Sequence, residues 1–303
     1  MQLAPIALFC FNRPWHVQQT IESLQKNPLA KDSILYIYSD GPRNAQEKFK
    51  TDAVRAYIGQ IGGFKNVIVR AQQHNLGLAN SVIAGVSEVI QKHGSVVVME
   101  DDLLCTTDFL DYINKALHTY QYDDTILSVT GFLFPISIPT SYQSDVCVLP
   151  RPSSLGWATW LPKWQKADFL VPDFKDFMAD VPAQTAFNAG GEDLTLMLLK
   201  QQMGVVNSWA VRWAYTHFKQ NAFCLYPVRS KIQHIGADGT GSETGKTDKL
   251  DTNIFEGNVH FETAPKPDPQ IIKNLQAFFK QKPHRRLINY WKYFRKWPQS
   301  QPK

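Results

Sequence analysis

Three consecutive carboxylates, Glu100, Asp101 and Asp102, follow a run of mainly apolar residues at 95–99. The run holds three valines in succession, which is typical of a strand buried on both faces. Three acids at the end of such a strand repel one another unless a positive charge neutralises them. A divalent cation is the simplest such charge, and open α/β sheets bind ligands at the carboxyl ends of their strands. The alternative is a solvated loop whose acids stabilise the N-terminus of the next helix.

Polar residues also follow two other predicted strands. Asn12 and Arg13 come after the apolar residues 4–11, and Asp40 comes after residues 34–39. An arginine can clamp a phosphate or a base, and an aspartate can accept a hydrogen bond from a base or a ribose hydroxyl. Taken singly, Arg13 is more typical of a surface salt bridge and Asp40 of a turn. Because the carboxyl ends of parallel strands share one edge, we expect both to lie near the acidic triplet.

A second pair of acids, Glu192 and Asp193, lies 90 residues downstream of the triplet. Gly190 and Gly191 precede it, and a helix is predicted to run from this segment to about Met203. Glycine allows the backbone to approach a ligand closely. A carboxylate within hydrogen-bond reach of a hydroxyl can remove its proton, so the pair is a candidate general base. The alternative is stabilisation of the helix N-terminus by acids.

The elements that position these residues alternate regularly through the first 120 residues. Strands are predicted at 4–11, 34–39, 66–70 and 95–99, each followed by a helix, and a further strand is predicted at 126–130. We expect Asn12 to cap the first helix, with Val17, Ile21 and Leu24 inward, and Thr106 or Thr107 to cap the fourth. The alternation predicts an α/β fold with an open, mostly parallel twisted sheet, right-handed crossovers and helices on both faces.

The regularity ends after Gly131. Residues 132–190 are rich in proline and aromatic residues, and a long irregular stretch in an α/β chain is either functional or mobile. Trp157 and Trp160 in this stretch are predicted to form a platform for a ligand, with burial in the core as the alternative. Residues 205–213 have the pattern of a strand, and residues 268–280 that of a short amphipathic helix.

Composition limits the classes of function. The chain has 303 residues, of which 44% are hydrophobic, enough for one large domain or two small ones.

Neither a GxGxxG loop after the first strand nor a GxxxxGK[ST] loop is present, which disfavours a Rossmann dehydrogenase and a P-loop enzyme. The four cysteines show no CxxC spacing, so we expect reduced thiols in a cytosolic protein and no zinc site. No 18-residue apolar segment occurs, so no membrane-spanning segment is expected.

The positive charge is concentrated at the C-terminus. Residues 282–303 hold seven Lys and Arg and no acids, so residues 1–281 carry a formal charge of −2 although the whole chain carries +5. A body without a basic face argues against nucleic-acid binding. Residues 283–297 alternate cations with aromatic residues, which suits the surface of an anionic membrane. The alternative is an aromatic helix that packs on the catalytic domain.

The motifs together resemble a known family. FNRP follows the first strand, SDG the second, and HNLGLANS leads through a helix to VVVMEDDLLCTTDFL. This order is similar to that of nucleotide-sugar-dependent glycosyltransferases of the GT-A fold, above all the N-acetylglucosaminyltransferases of N-glycan branching and bacterial sugar transferases. The resemblance covers about residues 4–120 and recurs at LGWATW, GGEDL and HIGADGTG.

The resemblance implies a role for each candidate residue. Asp102 would ligate Mn²⁺ or Mg²⁺, while Glu100 and Asp101 would contact the sugar or ribose of the donor. Asp40 and His74 would lie at the base, and Arg13 at the base or a phosphate. Asp193 would be the catalytic base, with Glu192 beside it. Residues 234–241 resemble a lid in which His234 or Asp238 contacts the diphosphate or the metal; the alternative is a surface turn.

The implied function is metal-dependent transfer of a sugar from a UDP-linked donor, similar to UDP-GlcNAc, to a hydroxyl of a glycan or lipid-linked acceptor. The family implies inversion by single displacement, and bacterial surface polysaccharide synthesis as the setting. Residues 1–265 would form the catalytic domain, divided at residue 131 into a nucleotide-sugar half and an acceptor half, and 266–303 a C-terminal helix and tail. A cytoplasmic protein, peripheral at the inner face of the plasma membrane, is expected. The alternatives are a sugar nucleotidyltransferase and a non-catalytic binding protein.

Overall fold

The computed structural model describes residues 2–241, 245–295 and 297, and within these residues a sheet of eight strands forms the centre of the fold. The strands are β1 (Ile6–Cys10), β2 (Ile34–Ser39), β3 (Asn66–Ala71), β4 (Ser95–Glu100), β5 (Leu103–Cys105), β6 (Ile126–Thr130), β7 (Val146–Leu149), β8 (Trp157–Trp160), β9 (Phe223–Pro227) and β10 (Ile232–His234). The helices are α1 (Pro14–Gln25), α2 (Ala45–Ile58), α3 (Leu78–His93), α4 (Phe109–Thr119), α5 (Leu161–Trp164), α6 (Phe174–Ala179), α7 (Val181–Phe187), α8 (Leu194–Gln202), α9 (Trp209–Lys219), α10 (Pro269–Phe278) and α11 (Pro283–Asn289).

The order of the strands across the sheet is β3-β2-β1-β4-β8-β6-β9-β7. Strands β1 to β4 pair in parallel, β8 runs antiparallel between β4 and β6, and β9 is parallel to β6. In the described part of the chain, therefore, only β7 and β8 run against the other six strands of this sheet. The remaining strands, β5 and β10, form a separate antiparallel pair. The predicted open, mostly parallel α/β sheet is confirmed.

Helices cover both faces of the sheet. Ile6 and Leu8 of β1 belong to a core that includes residues of α1, α2 and α4. Ala7 and Phe9, which alternate with them, belong to a second core with residues of α3 and α9. Since successive strand residues point to opposite faces, the two cores lie on the two faces of the sheet. The predicted inward stripe of α1 is fully buried, as expected.

Two predicted helix starts are wrong. Arg13, not Asn12, occupies the N-cap of α1, and the side chain of Asn12 turns to Glu47 instead. The fourth helix begins after Asp108, not after a threonine at 106 or 107. The reason is β5, which the sequence pattern did not reveal: it keeps the chain extended, and the Thr106 hydroxyl then donates to Asp108 Oδ1 at 2.6 Å.

The stretch at 132–190 is more regular than predicted, because it holds β7 and β8. Trp157 in β8 is fully buried, and its ring stacks on Trp209 with centroids 5.0 Å apart. Trp160 is also buried, and its indole N–H donates to the Leu117 carbonyl at 3.0 Å. The prediction of a ligand platform is therefore wrong, since both rings are buried within the fold.

The predicted strand at 205–213 is wrong as well. Helix α9 starts at Trp209, and the hydroxyl of its N-cap Ser208 accepts the Val211 N–H at 3.4 Å. Trp209, Trp213 and His217 follow one another at four-residue spacing and are all buried. Spacing of four places side chains on one face of a helix. The valines and tryptophans of this segment suit a strand by type, but their burial follows the helical period.

His217 makes the stability of the fold dependent on pH. It is fully buried, with Nε2 2.8 Å from the Ser128 hydroxyl and Nδ1 2.9 Å from the Trp213 carbonyl. Burial lowers the pKa of His217 to about 4, whereas an unfolded histidine titrates near pH 6.5. The unfolded chain therefore takes up this proton first, and stability is lost as pH falls from about 6.5 towards 4, by about 3 kcal/mol in total.

Urea unfolding at pH 7.0 and 4.5 measures this loss in the wild type and in His217→Gln. The glutamine variant lacks the titrating group, so we expect its free energy of unfolding to change less between the two pH values. An equal change in both proteins would contradict this assignment.

The C-terminal segment packs on the rest of the chain. Ile271 and Leu275 of α10 are fully buried in the core on the α1 face. After α11, Tyr293 is buried against residues of α8 and α9, and the ring of Trp297 packs edge-on against Phe174 at 4.8 Å. The tail thus docks on the domain through these residues. Among the described helices, none combines the length and the apolar character that crossing a membrane requires.

Candidate active site

A cavity of 590 Å³ opens at the carboxyl ends of β1, β2 and β4. Arg13, Asp40 and the three acids of the triplet line it, together with Arg151 and Trp209 from later in the chain. The predicted convergence of three strand ends is therefore present in the structure. Glu100, the last residue of β4, is half-buried in this wall.

Arg13 neutralises the acidic cluster. Its Nη2 donates to Asp101 Oδ1 and, at 2.7 Å, to Asp102 Oδ2. The Phe11 N–H, at the end of β1, donates to Asp101 Oδ2 at 3.3 Å. The repulsion expected among the acids is thus relieved by a cation from the neighbouring strand end, a solution that the sequence pattern had not indicated.

The two aspartates differ in their protonation. Burial raises the pKa of Asp101 above its usual range, although Arg13 opposes this. Burial also acts to raise the pKa of Asp102, but the contact with His234 and the charge of Arg13 outweigh it and hold that pKa below its usual range. Asp102 therefore remains a carboxylate under conditions in which Asp101 can bind a proton.

Asp102 and His234 provide a donor set that fits a divalent metal ion. His234 Nε2 lies 3.4 Å from Asp102 Oδ2, and both side chains are buried. Among the described residues, Asp102 Oδ1 and His234 Nδ1 have no hydrogen-bond partner, and no cluster of three or more His, Cys, Asp or Glu forms a complete metal site. Carboxylate oxygens suit both Mn²⁺ and Mg²⁺, and neutral imidazole is a common ligand of metal ions in proteins. With two side chains contributed by the protein, the remaining ligands would come from a bound anion or water.

Gly236 lies directly against Asp102. A Cβ at this position would stand 1.9 Å from Asp102 Oδ2 and 2.6 Å from its Cγ. The Ile235 N–H donates to the Asp102 carbonyl at 2.9 Å, and His234 pairs with Leu103. The chain at 234–236 therefore covers the carboxylate closely, and only a glycine fits there.

This contact leads to a prediction. If Asp102 is a metal ligand, Gly236→Ala should weaken Mn²⁺ binding roughly 10- to 100-fold, because the added methyl group pushes the carboxylate away from Arg13 and His234. Titration of free Mn²⁺ by electron paramagnetic resonance measures the affinity. The control is Gly245→Ala, because a Cβ there meets no heavy atom of the described residues within 4 Å. Equal Mn²⁺ affinity in the two variants would show that Asp102 is not a ligand.

Asp238 lies beside α1, where it contacts His16. Asp238 Oδ2 is 3.2 Å from His16 Nε2, and Oδ1 accepts the Thr240 N–H at 2.9 Å. Burial, aided by the charge of Arg13, lowers the pKa of His16. The sequence analysis missed His16; its position in the first turn of α1, three residues after the N-cap Arg13, was the available signal.

Asp40 holds a loop in place. Its carboxylate accepts four N–H groups, those of Gly41, Leu76 and Gly77 and the side-chain amide of Asn75, at 2.8 to 3.0 Å. A contact of Asp40 with a base would have to replace one of these bonds, so that role remains a prediction. His74 has an exposed side chain, and it is not among the described residues that line the cavity.

Asp193 is paired with an arginine that the sequence analysis missed. Its two carboxylate oxygens accept bonds from Arg151 at 2.8 and 2.9 Å, and the Arg151 guanidinium lies 3.7 Å from the centre of the Phe279 ring. Arg151 and Phe279 line the cavity, so Asp193 stands directly behind its wall. No spacing in the sequence indicates a partner 42 residues away, and Arg151 lies in a segment predicted to be irregular.

Glu192 points elsewhere. Its Oε2 accepts the Gln281 N–H at 3.2 Å, and the residue lines a second cavity. The adjacent carboxylates of the GGED segment thus face opposite sides. The structure brings Asp193 close to the first cavity and does not bring Glu192 there.

Comparisons with known proteins give distant likenesses. The sequence matches no protein-family model and no curated protein. Among solved structures, the chain is similar to the mannosyltransferase PcManGT from Pyrobaculum calidifontis in complex with GDP-Man and Mn²⁺, with 12% identity and a TM-score of 0.36 over 51% of this chain and 44% of that one. It is similar to S. aureus TarS, with 10% identity and a TM-score of 0.41 over 78% of this chain and 37% of that one. The chain spans less than half the length of these two proteins. At these values the likenesses support no residue-by-residue correspondence, and the site rests on its own geometry.

Proposed function

We propose that the protein is a glycosyltransferase that moves a sugar from a nucleotide-sugar donor to a hydroxyl of a glycan or lipid-linked acceptor. The observation that carries this proposal is the assembly of Arg13, Asp102 and His234 at the carboxyl edge of a parallel sheet, in a cavity large enough for a nucleotide sugar. The order of the FNRP, SDG and EDD motifs supports it.

The donor side combines a cation with carboxylates. Asp102 and His234 would hold Mn²⁺ or Mg²⁺, which when bound supplies positive charge to diphosphate oxygens. Arg13 keeps further N–H groups that can donate to the departing diphosphate. Glu100 and Asp101 orient the sugar or ribose, and the loop that Asp40 holds forms the wall at the base.

The acceptor side centres on Asp193. When Arg151 stops donating to one oxygen of Asp193, that carboxylate oxygen accepts the proton of the acceptor hydroxyl. The hydroxyl oxygen then bonds to the anomeric carbon while the bond from that carbon to the diphosphate breaks, so the configuration inverts. A UDP-linked donor similar to UDP-GlcNAc, and a setting in bacterial surface polysaccharide synthesis, complete the proposal.

Nucleotide release separates this function from its alternatives. UDP-GlcNAc, UDP-Glc, UDP-Gal and GDP-Man are each incubated with the protein and Mn²⁺, with and without sugar acceptors. A glycosyltransferase releases nucleoside diphosphate and does so faster with its acceptor. A sugar nucleotidyltransferase would instead consume nucleoside triphosphate and form pyrophosphate, and a binding protein would shift its melting temperature without turnover.

The tail adds a proposed membrane contact. The side chains of Ile288 and Trp291 are 59% and 52% exposed, and the Arg295 guanidinium lies 4.5 Å from the centre of the Trp291 ring. Exposed apolar groups among cations suit an anionic lipid surface. Vesicles of phosphatidylglycerol should float the wild type, and the double variant Ile288→Ser/Trp291→Ser should float less. Equal flotation of both proteins would refute the contact.

A further inference from the structure

A second cavity, of 690 Å³, lies between α7, α8 and the segment that joins α10 to α11. We propose that it binds the distal sugars of an acidic oligosaccharide acceptor whose reacting end lies in the first cavity. This inference rests on the proposed function for the identity of the ligand, although its test requires no sugar transfer.

The two cavities are lined by neighbouring residues of the same two segments. Leu194 lines the first cavity, and its neighbour Thr195 lines the second. Phe279 lines the first, and the next residues, Lys280 and Gln281, line the second. Consecutive Cα atoms are about 3.8 Å apart. Two separate segments thus contribute consecutive residues to the two cavities, which places the cavities next to each other in the fold.

Two glycines pack closely against the ion pair of the proposed base. At Gly191, with φ of +138°, a Cβ would stand 2.7 Å from both Arg151 Nη1 and Asp193 Oδ1. At Gly190 it would stand 3.2 Å from the Arg151 Cβ. Any side chain at either position would crowd the ion pair. The buried backbone at 190–191 therefore packs directly against the ion pair, between Asp193 and Glu192.

The lining of the second cavity suits sugar hydroxyls. Its polar side chains are mainly amides and hydroxyls, from Gln184, Thr185, Asn188, Thr195, Gln281 and Asn289. Several of them are fixed by one another: Thr195 donates to Asn188 at 3.0 Å, and Asn289 donates to Gln281 at 3.2 Å. Glu192 uses Oε2 to accept the Gln281 N–H, and its Oε1 has no hydrogen-bond partner among the described residues. A carboxylate oxygen of this kind accepts hydrogen bonds from hydroxyls.

The charges favour an anionic group on the ligand. Lys280 and Arg286 line the cavity, and neither forms an ion pair with an acid of the described residues. Glu192 is the acidic residue in the described lining, so the two cations exceed it by one charge. An oligosaccharide with carboxylate or phosphate groups neutralises this excess, whereas a neutral one does not.

Helix α11 offers a matched pair of arginines for the test. Arg286 lines the cavity and Arg285 does not, although both are exposed, adjacent and equally charged. Adjacent residues of a helix point about 100° apart. If the ligand binds in the cavity, only the substitution of Arg286 weakens binding. If the ligand is attracted to the basic tail in general, both substitutions weaken binding.

Calorimetry with the full chain, without donor, tests the proposal with two probes of equal length: hexagalacturonate, which carries carboxylates, and maltohexaose, which does not. We expect hexagalacturonate to bind the wild type and Arg285→Gln within about twofold of each other, and Arg286→Gln roughly fivefold more weakly, the value of one exposed ion pair. Maltohexaose should bind more weakly than hexagalacturonate. Thermal unfolding confirms that both variants are folded.

Three results would overturn the proposal. Equal weakening in Arg285→Gln and Arg286→Gln would indicate non-specific attraction to the tail. Equal binding of the two probes would refute the acidic ligand. The third result is displacement of hexagalacturonate by phosphatidylglycerol vesicles. If the vesicles displace it from the wild type and from Ile288→Ser/Trp291→Ser but not from Arg286→Gln, the cavity binds a lipid headgroup. Since none of these measurements uses a donor, absence of sugar transfer would refute the proposed function separately.

Discussion

Asp102→Asn is expected to lower metal-supported turnover of the nucleotide-sugar donor roughly 10³-fold. Asparagine keeps the shape of the side chain but removes the charge from the carboxylate that stays ionised beside His234 and Arg13. Nucleotide release with and without Mn²⁺ measures the effect, and calorimetry measures donor affinity in both conditions. Full metal-supported donor affinity in the variant would show that Asp102 is not the metal ligand.

Asp101→Asn is the matched control for this result. It removes the same charge and the other carboxylate partner of Arg13, but it is not placed beside His234. Burial already raises the pKa of Asp101, so neutralising this residue costs less than neutralising Asp102. We expect a loss of roughly tenfold with the dependence on Mn²⁺ retained. Equal losses in the two variants would indicate that the aspartates serve only to hold Arg13.

Asp193→Asn is expected to lower transfer to the acceptor by roughly 10²- to 10⁴-fold while donor affinity stays unchanged. The amide can still accept one bond from Arg151, but it cannot accept a proton. Transfer rates with saturating acceptor, beside donor affinity from calorimetry, separate the two effects. The pH profile adds a second readout, because loss of the base removes the fall in rate on the acidic side.

Arg151→Gln distinguishes a base from a structural ion pair. If Asp193 served only to hold Arg151 against Phe279, removal of either partner would lower activity and stability alike, and the shape of the pH profile would not change. If Asp193 is the base, Arg151→Gln keeps the acidic limb of the profile and Asp193→Asn loses it. Transfer at the wild-type rate by Asp193→Asn would place the base elsewhere.

The sequence predicted the first half of the fold well, including the proposed donor side, because the signals in this half are local. The four strands and helices of the first 120 residues have clear periods, and Arg13, Asp40 and Asp102 come at the ends of buried strands. Parallel pairing then brings them to one edge, so their proximity followed from the fold class. What the pattern could not show is that Arg13 itself neutralises the acids, since this depends on side-chain direction.

The second half, with the proposed acceptor side, was harder to predict because its elements are positioned by contacts between distant segments. Strands β7 and β8 have only four residues each, too few for a period, and β8 lies between two strands of the first half. Arg151 meets Asp193 through contacts between distant segments, and Trp157 is buried by helix α9, which the sequence pattern had suggested to be a strand. Residue types in this half therefore indicated neither the secondary structure of 205–213 nor the partners of Arg151 and Trp157.

The position of β8 has a consequence for how the chain acquires its structure. Strand β4 pairs with β1 on one side and with residues 157–160 on the other. During synthesis, the strand that leads into the acidic triplet therefore keeps an open edge until about 60 further residues have been made. An exposed strand edge of this apolar composition can pair with strands of other chains and so promotes aggregation. A fragment that ends at residue 131 would retain that edge, so we expect it to aggregate where the longer chain folds.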